Sequence, residues 1–254
     1  MTTIRKEILW HGAAVKLILD APPANILDAA MMAQLQGHLD QLVEPSPVKL
    51  LIFEGQGDHF SFGASVQEHR REQAGDMLHS FHGLFRSLIK VALPSIALVR
   101  GQCLGGGMEL ALMCNWIFAA PDARFGQPEI KLGVLPPPAS VILPLRVGQA
   151  AADMLCLTGR TWNVEQAQQA GLVTDVSPDP AEAVTLFASK HLLPKSASSL
   201  RLAQRAARCS FNETLLRQLP QVEKLYLEEL MATDDANEGI ASFLEKRSPV
   251  WKNR

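Results

Sequence analysis

Three consecutive glycines, Gly105–Gly107, interrupt the most apolar part of the chain just after an aliphatic run, SIALVRG at 95–101. The run reads as a buried strand, and the apolar stretch MELALMCNWIFAA at 108–120 reads as a helix. Strand, glycine turn and helix in close succession point to a layered α/β arrangement. The same alternation fills the first third of the chain. AAVKLILD (13–20) and VKLLIFEG (48–55) read as strands, and DAAMMAQLQGHLDQLV (28–43) as a helix. GDMLHSFHGLFRSLIK (75–90) puts Met77, Leu78, Phe81, Leu84, Phe85 and Leu88 on one helical face, with His79 and His82 beside it as partly buried structural residues.

DARFGQPEIKLGVLPPP (122–138) is punctuated too often by Gly and Pro for a long helix and reads as loop or edge strand. Helical patterning returns from Ala139 to about Ala170 with TGR (158–160) as an interruption, GLVTDV (171–176) reads as a strand, and the remainder is mainly helical. No sequence repeat or low-complexity linker is evident. With 254 residues, 47% of them apolar, the chain can bury the core of one large domain, or of one domain with a smaller attachment. A boundary is expected between a core at 1–195 and a helical region at 196–254.

A formal charge of −2 makes no general case for nucleic acid or an anionic membrane as partner. The start MTTIRKEILWHG lacks the apolar core of a signal peptide, and Glu109 and Asn115 interrupt the most hydrophobic region, so a cytoplasmic protein is expected. Cys103, Cys114, Cys156 and Cys209 show no paired CxxC spacing and read as reduced structural thiols. No metal is expected.

The glycines fit neither GxGxxG nor GxxxxGK[ST]. Before a helix they still let a ligand approach backbone N–H groups at its positive end, where an anion or developing oxyanion is favoured; tight strand-to-helix packing is the lesser alternative. Glu109 falls in or near the first helical turn, where a carboxylate complements the dipole. Glu129 lies in the Gly/Pro-rich segment, and if the two carboxylates converge on one apolar cleft they can hold a water and divide acid and base roles, with at least one pKa raised. A third piece, FSFGASVQEH (60–69), brings Gly63 among the small residues Ser61, Ala64 and Ser65 and offers a further N–H. Neither serine lies in a GxSxG elbow. QEHRREQ (67–73) reads as a solvated helix face or loop, with contact of its basic residues to a phosphate as the alternative.

At these residues the sequence resembles the enoyl-CoA hydratase/isomerase, or crotonase, superfamily. APPANILD, FSFGASV, VRGQCLGGGMELALMCNWIFAAPDARFGQPEIKLGV and FLEKRSPVWK carry the resemblance along nearly the whole chain. It implies a crotonase-like α/β spiral of ββα units with a helical C-terminal region used in assembly, as a homotrimer or a dimer of trimers. It also implies an acyl-CoA thioester substrate and no separate cofactor, coenzyme A being part of the substrate. The thioester oxygen would lie between the N–H groups of Phe62 and Gly106, while Glu109 orients water and Glu129 transfers the proton. Ala24, Ser61, Ala64, Ser65, Gly105 and Pro137 would meet the substrate, and Phe243 and Lys246 resemble a segment that meets the CoA nucleotide of a neighbouring subunit.

Two departures stand out. The familiar AGAD appears as FGAS, and PGAGG appears as PPPAS, with Pro137 where a glycine N–H commonly helps to hold the water. With ILDAPPANILD, these departures resemble the subgroup of hydratases acting on cyclohexa-1,5-diene-1-carbonyl-CoA. The competing expectations are a general short-chain enoyl-CoA hydratase or isomerase, and a non-catalytic CoA-ester-binding protein.

Overall fold

The computed structural model describes residues 3–42 and 46–254; Val43, the last residue expected of the first helix, lies outside them, as do Met1 and Thr2. In chain order the strands and α-helices begin β1 (Ile4–Leu9), β2 (Ala14–Leu19), α1 (Ala29–Asp40), β3 (Leu50–Gly55), α2 (Ala74–Val91) and β4 (Ser95–Val99). They continue β5 (Gln102–Leu104), α3 (Gly106–Met113), β6 (Trp116–Ala119), β7 (Arg124–Gly126), α4 (Pro137–Val147) and α5 (Gln149–Thr158). The last are β8 (Thr161–Asn163), α6 (Val164–Gln169), β9 (Asp175–Val176), α7 (Pro180–His191), α8 (Ala197–Ala207), α9 (Cys209–Lys224) and α10 (Asp234–Leu244).

A six-stranded sheet runs β1-β2-β3-β4-β6-β9, parallel except for the β1–β2 pair, and a small sheet runs β5-β7-β8. The chain alternates between them. After β3 it touches the small sheet through a single bridge from Ser61 to Cys103, then forms α2. The next turn is β4, β5, α3, and the next β6, β7, α4. This is the expected spiral of ββα units, in which the repeat lies in the path of the chain and leaves no sequence signature.

The period-2 alternation of the large sheet separates two apolar layers. Leu51, Phe53, Ala97, Val99, Ile117 and Ala119 face the main core, while Leu50, Ile52, Ile96, Leu98 and Phe118 meet Val184, Ala188 and Leu192 beneath α7. That alternation corrects the helix expected over 108–120. It ends at Met113, Cys114 is extended, and WIFA becomes β6 because Ile117 and Phe118 must enter opposite layers. An apolar run without turn residues does not distinguish the two states.

The long helix expected to Ala170 is likewise interrupted, by β8, which pairs antiparallel with β7 and ends at Asn163, the cap of α6. The segment read as loop or edge strand supplies β7, central in the small sheet, and a 3₁₀ turn at Pro128–Leu132. β1 had no clear sequence signal. His82 is fully buried, with Nδ1 2.7 Å from Glu223 Oε2, so it is more enclosed than expected.

The helical C-terminal region packs on the spiral, most extensively through α9 against α4. Two arginines reach the end of α3: Arg146 donates to Leu112 O and Cys114 O at 3.2 and 2.6 Å, and Arg208 to Met113 O and Cys114 O at 2.7 and 2.8 Å. They satisfy carbonyls that a helix leaves open at its C-terminus. All four cysteines are free, Cys103 and Cys114 being buried. No described helix is long and apolar enough to cross a membrane.

Candidate active site

Each turn of the spiral leaves the small sheet at the same end, and the expected site residues lie at those exits. Phe62–Ala64 follow the Ser61 bridge, Gly105–Gly107 follow β5, and Glu129 follows β7. Parallel strands commonly present ligand sites beyond their carboxyl ends. Here the exits frame a cleft of about 570 Å³, counting space open to solvent. Phe62, Val66, Met77, Leu78, Phe81, Leu132, Val134, Leu135 and Pro128 give it apolar walls, and Glu109, Glu129 and His69 are its titratable side chains.

Backbone conformation brings the walls together. Gly63 has φ +104°, and a Cβ there would stand 3.2 Å from Gly106 N. A Cβ on Gly106 would in turn stand 3.1 Å from Ala64 N, so these two N–H groups are neighbours. Neither has a hydrogen-bond acceptor among the described residues. By contrast, Phe62 N–H donates to Ala24 O at 2.9 Å. This corrects the donor expected at Phe62. The left-handed turn at Gly63 aims the next N–H, that of Ala64, towards Gly106, and the Phe62 ring is left 40% exposed on the cleft wall.

Glu109 lies in the first turn of α3 and is buried. Its Oε1 accepts from Ala139 N–H at 2.8 Å. That donor sits at the start of α4, where Pro137 and Pro138 have no N–H to give and Ser140 N–H is spent on Pro136 O at 2.9 Å. The triple proline therefore leaves α4 one free donor, which is committed to Glu109.

Glu129, on the 3₁₀ turn, is half-buried, and a Cβ on Gly105 would come within 2.6 Å of its Oε1. Buried Gln127, with its amide nitrogen turned to Glu129, lies 3.0 and 3.1 Å from the two carboxylate oxygens. Removal from water pushes the Glu129 carboxyl up to about 8. Burial, and then repulsion by Glu129, raise Glu109 well above the carboxylate range, against the lowering effect of the Ala139 N–H. Both carboxyls therefore hold a proton more tightly than exposed acids do, and that proton belongs to the coupled pair.

Of the expected residues, Phe62, Ala64, Gly105, Gly106, Glu109, Glu129 and Pro137 line the cleft. Ser61 does not; fully buried, it donates to Asn25 O at 2.8 Å, accepts from Gly63 N–H at 3.0 Å, and underlies Gly107, where a Cβ would meet Ser61 Cβ at 2.6 Å. Ala24 acts through its carbonyl on Phe62, and Ser65 begins the 3₁₀ turn Val66–His69 outside the lining. Phe243, 54% exposed, and Lys246 lie at the end of α10, away from the cleft within this chain.

Sequence reasoning missed Gln127, Ala139, His69 and Tyr226. The QEHRREQ segment is not wholly a solvated face, because His69 lines the cleft and its Nδ1 lies 2.9 Å from Tyr226 Oη. Tyr226 is the chain's single tyrosine and is fully buried, the one composition signal that pointed there.

The enoyl-CoA hydratase/isomerase family profile matches residues 11–254. A cyclohexa-1,5-dienecarbonyl-CoA hydratase of Thauera aromatica is 47% identical over 243 residues, covering 96% of this chain and 94% of that protein. A 2,3-dehydroadipyl-CoA hydratase of Escherichia coli K12 is 36% identical, covering 94% of each. Among solved structures, an enoyl-CoA hydratase of Mycobacterium avium subsp. paratuberculosis superposes with a TM-score of 0.86 over 99% of both chains at 22% identity, a likeness of fold alone.

Proposed function

The chain belongs to the enoyl-CoA hydratase/isomerase family, and on that premise we propose that it is a hydro-lyase adding water to a conjugated acyl-CoA thioester, cyclohexa-1,5-diene-1-carbonyl-CoA. The observation that carries the reading is the convergence of Glu109 and Glu129 on one apolar cleft beside two unspent backbone donors. The relative at 47% identity supports the cyclic substrate, and the apolar walls suit a hydrocarbon ring.

In this reading Ala64 and Gly106 N–H hold the thioester oxygen and stabilise the negative charge it gathers as water attacks, each donor contributing about 3 kcal/mol. Glu109, fixed by Ala139 N–H, orients the water, and Glu129, fixed by Gln127, handles its proton. One O–H bond of water breaks, its oxygen bonds to one carbon of a C=C, and a proton passes through the carboxyl pair to complete the addition. No separate cofactor takes part; coenzyme A arrives with the substrate. Assembly as a trimer or dimer of trimers would cover apolar side chains exposed in the single chain, among them Phe243, Leu157 and Leu202.

The test is a panel of CoA esters that includes the cyclic diene, crotonyl-CoA and an isomerisable 3-enoyl ester, with products resolved by mass. Hydration of the diene above the others is expected. Brisk crotonyl-CoA hydration with an inert diene sinks the substrate assignment, and products of unchanged mass sink hydration. Glu129→Gln should lower kcat by ~10²–10⁴ with ester binding retained.

A further inference from the structure

A water that donates one hydrogen bond to each of two carboxyl groups keeps its oxygen lone pairs free, and in a desolvated site a further donor would hold them. The prolines at 136–138 have no N–H, and the Ala139 N–H that follows them is spent on Glu109. Ala64 and Gly106 N–H are neighbours and are assigned to the proposed thioester position. Apart from the two glutamic acids, a single side chain of the lining carries a polar hydrogen, that of His69; the rest are apolar.

Tyr226 behind the ring fixes which of its nitrogens carries the hydrogen. Tyr226 is fully buried in a π-helical segment, Leu225–Glu229, and its hydroxyl has one hydrogen-bond partner among the described residues, His69 Nδ1 at 2.9 Å. A buried phenol left without an acceptor is costly, so its O–H is directed at Nδ1. Burial, then the nearby Glu129 and Glu109, push the phenol's pKa well up, and burial brings the imidazole down to about 4, so both groups are neutral at working pH. Nδ1 therefore accepts, and Nε2, which has no partner among the described residues, carries the hydrogen.

Resting on the hydratase reading, we propose that His69 is a further catalytic residue: its Nε2–H donates to the oxygen of the attacking water and of the product hydroxyl, and Tyr226 is the positioning residue that fixes the tautomer. It supplies the donor that the proline-led start of α4 withholds.

The test compares Kd for hydroxycyclohexene-carbonyl-CoA and for cyclohexene-carbonyl-CoA lacking the hydroxyl, alongside kcat and KM on the diene ester. Wild-type protein should favour the hydroxylated ester about tenfold. His69→Phe should abolish that preference and lower kcat about 10- to 100-fold with KM little changed, while His69→Gln, which keeps a donor, recovers most of both. Tyr226→Phe keeps the imidazole but frees its tautomer, and should weaken the preference about threefold with deoxy-ester binding unchanged. An undiminished preference in His69→Phe overturns the proposal, as does a loss in His69→Gln as complete as in His69→Phe. Absence of turnover on every ester, with the preference retained by wild type and lost in His69→Phe, sinks the hydratase reading and leaves the donor assignment standing.

Discussion

Two helices begin at the cleft, one after three glycines and the other after three prolines. The start of α3, Gly105–Gly107, leaves N–H groups open at a helix N-terminus and lets other segments of the chain approach within contact of its backbone. The start of α4, Pro136–Pro138, offers the same helix dipole almost without donors, and directs the one that remains to Glu109. The same kind of element thus presents open N–H groups to the cleft on one side and supports a carboxylic acid on the other. The difference is set by which residues own a hydrogen.

Adding a side chain on the glycine side gives the largest expected effect. Gly105→Ala places a methyl 2.6 Å from Glu129 Oε1 at a residue with φ +49°. Displacement of that carboxylate should lower kcat by ~10²-fold, measured on the preferred ester, since a shift of about 1 Å has that cost. An unchanged kcat would show that Glu129 need not press on the turn. On the other side, Pro137→Gly makes α4 begin more like α3. It should cost about 1 kcal/mol in denaturant unfolding through the freer unfolded chain. The restored N–H should also return part of the activity lost in His69→Phe, and no recovery in the double variant would place that donor away from the water.

The smallest effect belongs to the acids between the two helix starts. The unfolded chain releases these protons near 4.5, whereas folded Glu129 holds its proton to about 8, so this contribution makes stability fall as pH rises between those values. His38, His69 and His82, depressed by burial, act in the opposite direction below 6.5, which leaves pH 6.5–8 as the window set by the glutamates. Because Glu129 is half-buried, the calorimetric midpoint should fall by only about 1 °C per pH unit, and Glu129→Gln should flatten the slope.

The glycine triplet, both glutamates and Pro137 were legible because each is a residue type with a restricted physical use. The choice between Phe62 and Ala64 was not, because successive N–H groups point in different directions and the turn at Gly63 decides which one stays open at the cleft. Gln127 lay beside Glu129 in the sequence without a signal, since an amide is equally at home in water. His69 was hidden by its neighbours Arg70 and Arg71, and Tyr226 reaches it from 157 residues away. The 114–120 segment was ambiguous for a different reason. Its strand state depends on two apolar layers that the local sequence does not contain.

The arginine clamp on α3 bears on what supports the site. An eight-residue helix is marginal alone, and this one has its last carbonyls taken by Arg146 and by Arg208, which lies 95 residues beyond Met113. A nascent chain that has emerged through Glu129 already contains the glycine turn and both acids, yet the far end of the helix beneath them is still uncapped. The helix that carries Glu109 is therefore closed at its far end by residues from the C-terminal part of the chain, so the acid's support spans both regions.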